Sequence, residues 1–466
     1  MITLDNIKQM VANGTLCPYA FNTYELGPQG RQRFCCVWKE QALLDEDGNQ
    51  LTVNNSTIQD AWDSTQLNQI RADMLDSKQV KGCERCYHEE QSSSASLRLQ
   101  ESHRILEVPE DTAYFVDTIN EFTNTGKVKH IRRMDLRLAS LCNIACVMCT
   151  PDISTTSARE AKKILDKDQR FAEFTNYKPI FENEVDFGLD QKYMQDVQDN
   201  IHHVNKIFFI GGEPSVMRSI PILLQYCIDQ DIAKNIEVQF SINVTNLAQR
   251  SVELLSHFKS VQITLSIDGV GKVNEYIRYP SKWDKIMANL EILMDLPEPF
   301  WFSTAPVPMI YNVLHWHELM QFWDSINKNL MIGRQIYVGP CDLVDPPFLK
   351  FQNLTPALRP LAIERLKQCF DLEMYNTNDT ISEKTKYMIS ELENNTFNED
   401  YYNQMVQYSQ ILDKHRNLNM HECIPELTDI NVSKITSCLA FRPFRHRPLV
   451  GLLVRRVEFQ QPWLRL

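Results

Sequence analysis

Apolar residues in the middle of the chain gather into short runs, separated by longer stretches of helical periodicity. The strand-like run Arg132–Leu138 comes first, followed by Val204–Ile210, Ile236–Ile242 and Val261–Ile267. Two further strand candidates lie at Phe300–Ala305 and Gln335–Val338. Helical patterns between them cover Ser157–Lys167, a stretch from about Ser219, and Ser251–His257. Strands alternating with helices imply βα units and a parallel sheet. Such a sheet buries both faces, which accounts for unbroken apolar runs such as Ile207–Ile210. The charged and aromatic segment Asp168–Asp199 reads as an insertion, and residues 355–425 as amphipathic helices packed on the exterior.

The first 125 residues follow a different pattern and read as a unit of their own. Asp45-Glu-Asp-Gly48-Asn49 suits a turn between short strands. A helix starts at Ser56 or Thr57, and Leu67, Ile70, Met74 and Leu75 keep its period. Residues from about 90 to 128 are Ser-rich at first and then mixed, and read as a connection whose Arg98 marks a solvated helix start.

Chemical character collects where the central strands end. After the first run comes Cys142-Asn-Ile-Ala-Cys146-Val-Met-Cys149, three cysteines spaced C-x3-C-x2-C. After the second comes Gly211-Gly212-Glu213-Pro214, after the third Asn243, and after the fourth Ser266 and Asp268-Gly269. Three thiolates on a tight loop leave one iron of a cubane cluster without a protein ligand. Zinc sites normally show four ligands in paired groups, and no fourth Cys or His lies near this loop. Two glycines let backbone approach a ligand closely, and Glu213 offers an acceptor for an ammonium group.

This combination resembles the radical S-adenosylmethionine (radical SAM) superfamily. The resemblance implies an α/β fold built on a partial (β/α)6, TIM-like barrel, with six strands and the active site at their C-terminal ends. It implies a 4Fe-4S cluster on Cys142, Cys146 and Cys149 whose open iron chelates SAM. Reductive cleavage of SAM would give a 5′-deoxyadenosyl radical that abstracts hydrogen. Gly211, Gly212, Glu213 and Pro214 match the family's GGEP motif, which contacts the SAM amino group. Asn243, Ser266, Asp268 and Arg278 match its ribose and carboxylate contacts, though the family's Thr-Asn-Gly is here Ile242-Asn243-Val244.

The N-terminal unit supplies Cys17, Cys35 and Cys36, and the pair Cys83/Cys86. Four thiolates from a loop, a strand end and a C-x2-C knuckle are the inventory for a second, fully ligated cluster. The layout resembles the SPASM or twitch modules of radical SAM enzymes, with the order reversed, since those usually follow the barrel. A four-cysteine zinc ribbon is the rival for this site. His88, beside the knuckle, reads as a surface residue. The domain division expected is 1–125 for the auxiliary module, 126–345 for the barrel, 346–430 for a helical region and 431–466 for a basic tail.

Composition sharpens the setting. The chain has 466 residues, thirteen cysteines and a formal charge of −12. Clustered cysteines and the absence of a basic, then apolar, N-terminal segment point to a reducing cytoplasm and to metal ligation rather than disulfides. No apolar run has the length of a membrane span, and the acidic balance argues against nucleic acid. The exception is residues 431–466, where Lys434 and six arginines face Glu458 alone. That tail carries +6 and leaves −18 on the rest. Cys227, Cys369, Cys423 and Cys438 show no partner pattern. Cys341 ends a strand candidate, and His202-His203 and His315/His317 lack a completing metal ligand. The expected partners are a peptide or protein substrate and a flavodoxin- or ferredoxin-type reductant. The other function classes are a non-catalytic iron–sulfur electron carrier and a zinc-stabilised binding protein.

Overall fold

The computed structural model describes residues 2–91, 96–183, 185–247, 249–331, 333–341 and 345–427. The basic tail 431–466, with Cys438, lies outside the described residues, as do the serines at 92–94. Eight strands form one sheet. They are β1 (Thr23–Leu26), β2 (Gln32–Arg33), β3 (Arg133–Leu136), β4 (Lys206–Phe209), β5 (Glu237–Ile242), β6 (Ser260–Leu265), β7 (Phe300–Thr304) and β8 (Tyr337–Val338). Their order is β2-β1-β3-β4-β5-β6-β7-β8. Every neighbouring pair is parallel except β1 with β2. The six strands expected from the apolar runs are β3 to β8, and with their intervening helices they make the mostly parallel α/β sheet of a partial barrel.

One face of this sheet is sealed. Met134, Leu136, Ile207, Phe209, Val238, Phe240, Val261, Ile263, Phe300 and Phe302 alternate along the strands and are buried. The other face holds Phe208, Gln239, Ser241 and Gln262, all half-buried. The expectation that Ile207–Ile210 is buried on both faces is therefore corrected. The strand alternates, and its second face is only partly covered.

The N-terminal segment also reaches this sheet. β1 lies parallel to β3 with Glu25 opposite Asp135. The expected turn at Asp45–Asn49 forms beneath the single bridge Leu44 to Gln50, with Asp45 Oδ1 accepting from the amides of Asp47 and Asn49. The helix expected from Ser56 is two helices. Thr57 caps Ile58–Trp62, and the break comes at Ser64, whose side chain caps Thr65–Leu75 by taking the Leu67 amide that a continuous helix would use internally. Nor is 90–128 a mere connection. Helix Pro109–Thr125 buries Phe115, Ile119 and Phe122, and Phe21 meets two of these rings edge-on at 6.1 and 5.8 Å. Arg98 is buried, not solvated. It pairs with Glu90 and donates to the carbonyls of Val11 and Leu16.

The C-terminal helices Arg359–Gln368, Asp379–Asn394 and Glu399–Arg416 form as the pattern predicted. His315 sits among them, with Nε2 3.1 Å from Glu426 and Nδ1 3.2 Å from Glu318. Glu426 also accepts from Arg365 at 2.7 Å. Burial alone would lower His315, but the hydrogen bonds and charges of Glu318 and Glu426 outweigh it and raise the ring from 6.5 to about 9. A raised folded-state value means stability that is full below pH 6.5 and lost as pH climbs through about 9. The shift corresponds to about 3 kcal/mol. Denaturant titrations at pH 6 and pH 9.5 should show that fall, and His315→Gln should flatten it. Among the described residues no helix is long and apolar enough to cross a membrane.

Candidate functional site

The cysteine loop leaves β3 and is fastened on three sides by backbone hydrogen bonds. Toward β4, Gly212 N donates to Ala139 O at 3.2 Å and Glu213 N to Leu141 O at 2.7 Å. Toward the helix after β6, Ala145 N donates to Tyr279 O at 2.6 Å and Val147 N to Ile277 O at 2.8 Å. Toward the next helix, Thr155 N donates to Ser140 O, and Thr156 Oγ1 to Cys142 O. The Gly-Gly turn exists for this contact. A Cβ on Gly212 would stand 2.1 Å from Leu141 O, and one on Gly211 would stand 2.5 Å from Ala139 O.

Cys142 and Cys146 are buried and Cys149 is half-buried, with Ile144 and Met148 packed around them. The three sulfurs act on one another. Burial and then the charge of Cys146 push the Cys142 thiol up to about 12. Cys146 and Cys149 share a hydrogen bond that lowers Cys146 and raises Cys149, and Cys142 raises Cys149 further. Such a group releases protons when a metal takes them. Among the described residues no three His, Cys, Asp or Glu side chains close around a single ion. An iron–sulfur cluster needs no such common point, since it puts each thiolate on a different iron. Three sulfurs within one another's field, a glycine cradle and a nearby guanidinium are a donor set that fits it.

The guanidinium belongs to Arg278. Its Nε and Nη2 lie 2.8 and 2.7 Å from Asp268 Oδ2, and its Nη1 lies 3.8 Å from Cys146 Sγ. Burial opposes its charge, but Asp268 and the Cys146 and Cys149 sulfurs outweigh that and hold it protonated. Asp268 is fully buried, with Oδ1 accepting from Val307 N at 2.8 Å. Glu213 is 2 % exposed, and burial raises its carboxyl although the amides of Ser215 and Asn243 donate to it. Asn243 gives Nδ2 to Asn143 Oδ1 at 2.8 Å and takes Thr245 Oγ1 on its own oxygen at 2.6 Å. Asn143 Nδ2 in turn donates to Thr245 Oγ1. Ser266 is half-buried, with its amide on Ile242 O. Pro214 starts the turn that follows Glu213.

Two residues of the site had no sequence signal. Tyr408 OH donates to Val147 O at 2.9 Å, and Arg416 Nη2 to Ala145 O at 2.8 Å while its fork grips Glu160. Helix Glu399–Arg416 is thus not confined to the exterior. It closes over the cysteine loop through these two hydrogen bonds to loop carbonyls, and a small cavity remains between Cys149, Phe171, Tyr408 and Arg416.

The N-terminal cysteines also act on one another. Cys17 is raised by burial and then by Cys83 and Cys86, and Cys83 rises to about 12 through burial and Cys86. Cys35 is buried, and a hydrogen bond with Cys36 and then burial raise its thiol, with a smaller push from Cys17, whereas Cys36 is exposed and is lowered by the same hydrogen bond. Gly82 lets the knuckle rest on Trp38, whose Nε1 would be 2.5 Å from an added Cβ. His88 is exposed. Cys341 is half-buried at the end of β8, its amide on Pro306 O. His202 lies against Tyr226, and His203 stacks on His130 at 3.6 Å.

Residues 137–313 match the family model described as the Radical SAM superfamily, a stretch that covers the cysteine loop, the Gly-Gly turn and β4 to β7. No curated protein matches the chain. Among solved structures, native anSMEcpe with bound AdoMet is 15 % identical over 53 % of this chain and 62 % of that one, with a TM-score of 0.33. The same protein with AdoMet and Cp18Cys peptide gives 15 % over 54 % and 62 %, at 0.32. Streptococcus suis SuiB bound to precursor peptide SuiA gives 14 % over 72 % and 65 %, at 0.33. The chain spans less than two thirds of the length of each. At that level of similarity they bear on neither substrate nor reaction.

Proposed function

We propose that the chain is a radical SAM enzyme of the cytoplasm that acts on a peptide or protein and draws its electron from a flavodoxin- or ferredoxin-type reductant. One observation carries the reading: Cys142, Cys146 and Cys149 lie within one another's electrostatic reach, on a loop hydrogen-bonded to the Gly211–Pro214 turn. A 4Fe-4S cluster held there would supply the electron that cleaves SAM to methionine and a 5′-deoxyadenosyl radical, which removes hydrogen from substrate. The chain's own groups set the stage for it. Gly211 and Gly212 keep side chains out of the space beside the loop, while Glu213 in the turn and the half-buried Ser266 at the end of β6 are polar contacts for SAM. Asn243 ties Asn143 of the loop to the end of β5. Asp268 and Arg278 act as a pair, with the aspartate aiming the guanidinium at Cys146, where an N–H donor makes the cluster easier to reduce.

The N-terminal thiols Cys17, Cys35, Cys83 and Cys86 are proposed to hold an auxiliary 4Fe-4S cluster in a twitch-like module. Cys36 is left outside it. Cys35→Ala should therefore cost about four irons per reconstituted chain, and Cys36→Ala almost none. The overall reading is tested by anaerobic reconstitution with iron and sulfide, reduction, and a search for 5′-deoxyadenosine after SAM is added. A brown protein that forms it supports the proposal. A colourless, iron-free or zinc-filled protein, however prepared, overturns it.

A further inference from the structure

Arg137 stands at the end of β3, one residue before the loop that carries the cluster cysteines. Its amide is paired with Leu26 O, but among the described residues its guanidinium makes no hydrogen bond and no ion pair. Its Nε is buried without a partner. Leaving a buried guanidinium N–H unsatisfied is costly, and natural sites tolerate it where a ligand completes the shell. The neighbouring guanidinium groups make side-chain hydrogen bonds, although Arg33 Nε, like Arg137 Nε, is buried without one. Arg33 donates to the carbonyls of Cys35, Cys36 and Trp38, and Arg133 grips Asp135 at 2.6 and 3.1 Å.

The surroundings say which way the vacancy faces. Sheet register continues from Arg137 through Ile210 to Ser241, Thr264 and Ser303, a row across the half-open face. The row below holds Glu25, Asp135, Phe208, Gln239 and Gln262. Ser303 accepts from Gln262 and shares a hydrogen bond with Thr264, both at 3.0 Å. From β4 to β7 these two rows carry no charge within the strands; Thr264 and Ser303 are buried, and Ser241, Gln239 and Gln262 are half-buried neutral groups beside a cation that, among the described residues, makes no hydrogen bond or ion pair. The acidic groups near that cation are Glu25, Cys36 and Asp152, and Glu25 Oε2 is itself buried without a hydrogen bond. Glu25 lies 3.6 Å from Arg33, and Asp152 is shared with Arg31 and accepts from Asn176. Gly211 allows the turn to pass close beside the Arg137 stem, 3.2 Å from where its own Cβ would be.

We infer that Arg137 is the anchor for a carboxylate of a peptide substrate, from an acidic side chain or the chain terminus, laid along the half-open face between the two cysteine groups. The inference rests on the function proposed above and names the substrate feature which that function would select. A bidentate guanidinium–carboxylate pair satisfies the orphaned N–H, and the glutamines and hydroxyls of the face complement a peptide backbone.

The full chain, reconstituted and supplied with SAM, is exposed to two pools of randomised N-acetylated nonapeptides, one with free and one with amidated C-termini. Retained peptides are sequenced by mass spectrometry. The expected result is enrichment of Asp and Glu, or of the free-acid pool, by about tenfold, the scale of one charge-assisted contact. Arg137→Gln should abolish that enrichment and Arg137→Lys should keep part of it, with iron content and SAM affinity unchanged in both. Which pool is enriched identifies the source of the carboxylate. Equal retention of acidic and neutral peptides by the unmodified chain overturns the inference, as does enrichment that survives in Arg137→Gln. If Arg137→Gln lowers SAM affinity, the anion is that of SAM itself and the inference falls. Formation of 5′-deoxyadenosine without peptide is read in the same samples, so the radical SAM reading is judged separately.

Discussion

Replacing Cys142, Cys146 or Cys149 by alanine, one at a time, should remove about four irons per chain and reduce 5′-deoxyadenosine formation to background. A thiolate lost from a three-thiolate set leaves two protein ligands, too few to keep a cubane in place. The cost to the fold should be small by comparison. Each change deletes one sulfur from a partly buried loop held by its backbone, so unfolding free energy should move by about 1 kcal/mol. The split between large iron loss and small stability loss separates a ligand from a packing residue. Cys227 is the internal control, because it is fully buried on helix Ser219–Asp229 with no thiol beside it. Cys227→Ala should keep both iron and activity. Among the three, Cys146→Ala should be the most disruptive, since it also strips Arg278 Nη1 of its sulfur partner at 3.8 Å. Full iron and normal turnover in all three variants would mean the cluster is elsewhere or absent.

The strands that build this site could be read from the chain because each is a short apolar run ended by a residue with chemistry on it. Cys142, Cys146, Cys149 and Gly211–Pro214 stood out as local motifs at strand ends that together resemble those of radical SAM enzymes. What spacing could not carry was contact over long separations. Tyr408 and Arg416 bind the carbonyls of Val147 and Ala145 from 261 and 271 residues away, and nothing local in an amphipathic helix announces that. β1 was missed for a different reason. Thr23–Leu26 mixes a hydroxyl, a ring, an acid and one leucine, too short and too polar to show a period, and the sheet register rather than hydrophobicity makes it a strand. The resemblance puts Arg278 among the contacts to the SAM ribose and carboxylate, whereas the carboxylate that its guanidinium meets in the structure is that of Asp268. The half-open face escaped notice because Phe208 and Ile210 look like core residues until one sees that only alternate positions of β4 are sealed.

Gly212→Ala should be the most damaging single methyl in the barrel. The added carbon would stand 2.1 Å from Leu141 O, 2.5 Å from Leu141 C and 2.7 Å from Ser140 C, all of them backbone atoms that cannot rotate away. Relief requires the loop between β3 and Cys142 to move. That movement breaks the bonds from Gly212 N to Ala139 O and from Glu213 N to Leu141 O, and it displaces Cys142 from its fellow sulfurs. Overpacking of this kind costs about 3 kcal/mol. Here the loss should be joined by poor iron uptake and weak SAM binding, measured by thermal denaturation, iron analysis and calorimetry on the same preparation. Gly126→Ala makes the comparison sharp. Gly126 ends helix Pro109–Thr125 at φ 72° with nothing within 4 Å of an added Cβ. Its cost is conformational, about 1 kcal/mol, and should leave iron content untouched. If the two variants lost the same stability and both held their iron, the close approach of the turn to the cysteine loop would have no part in shaping the site.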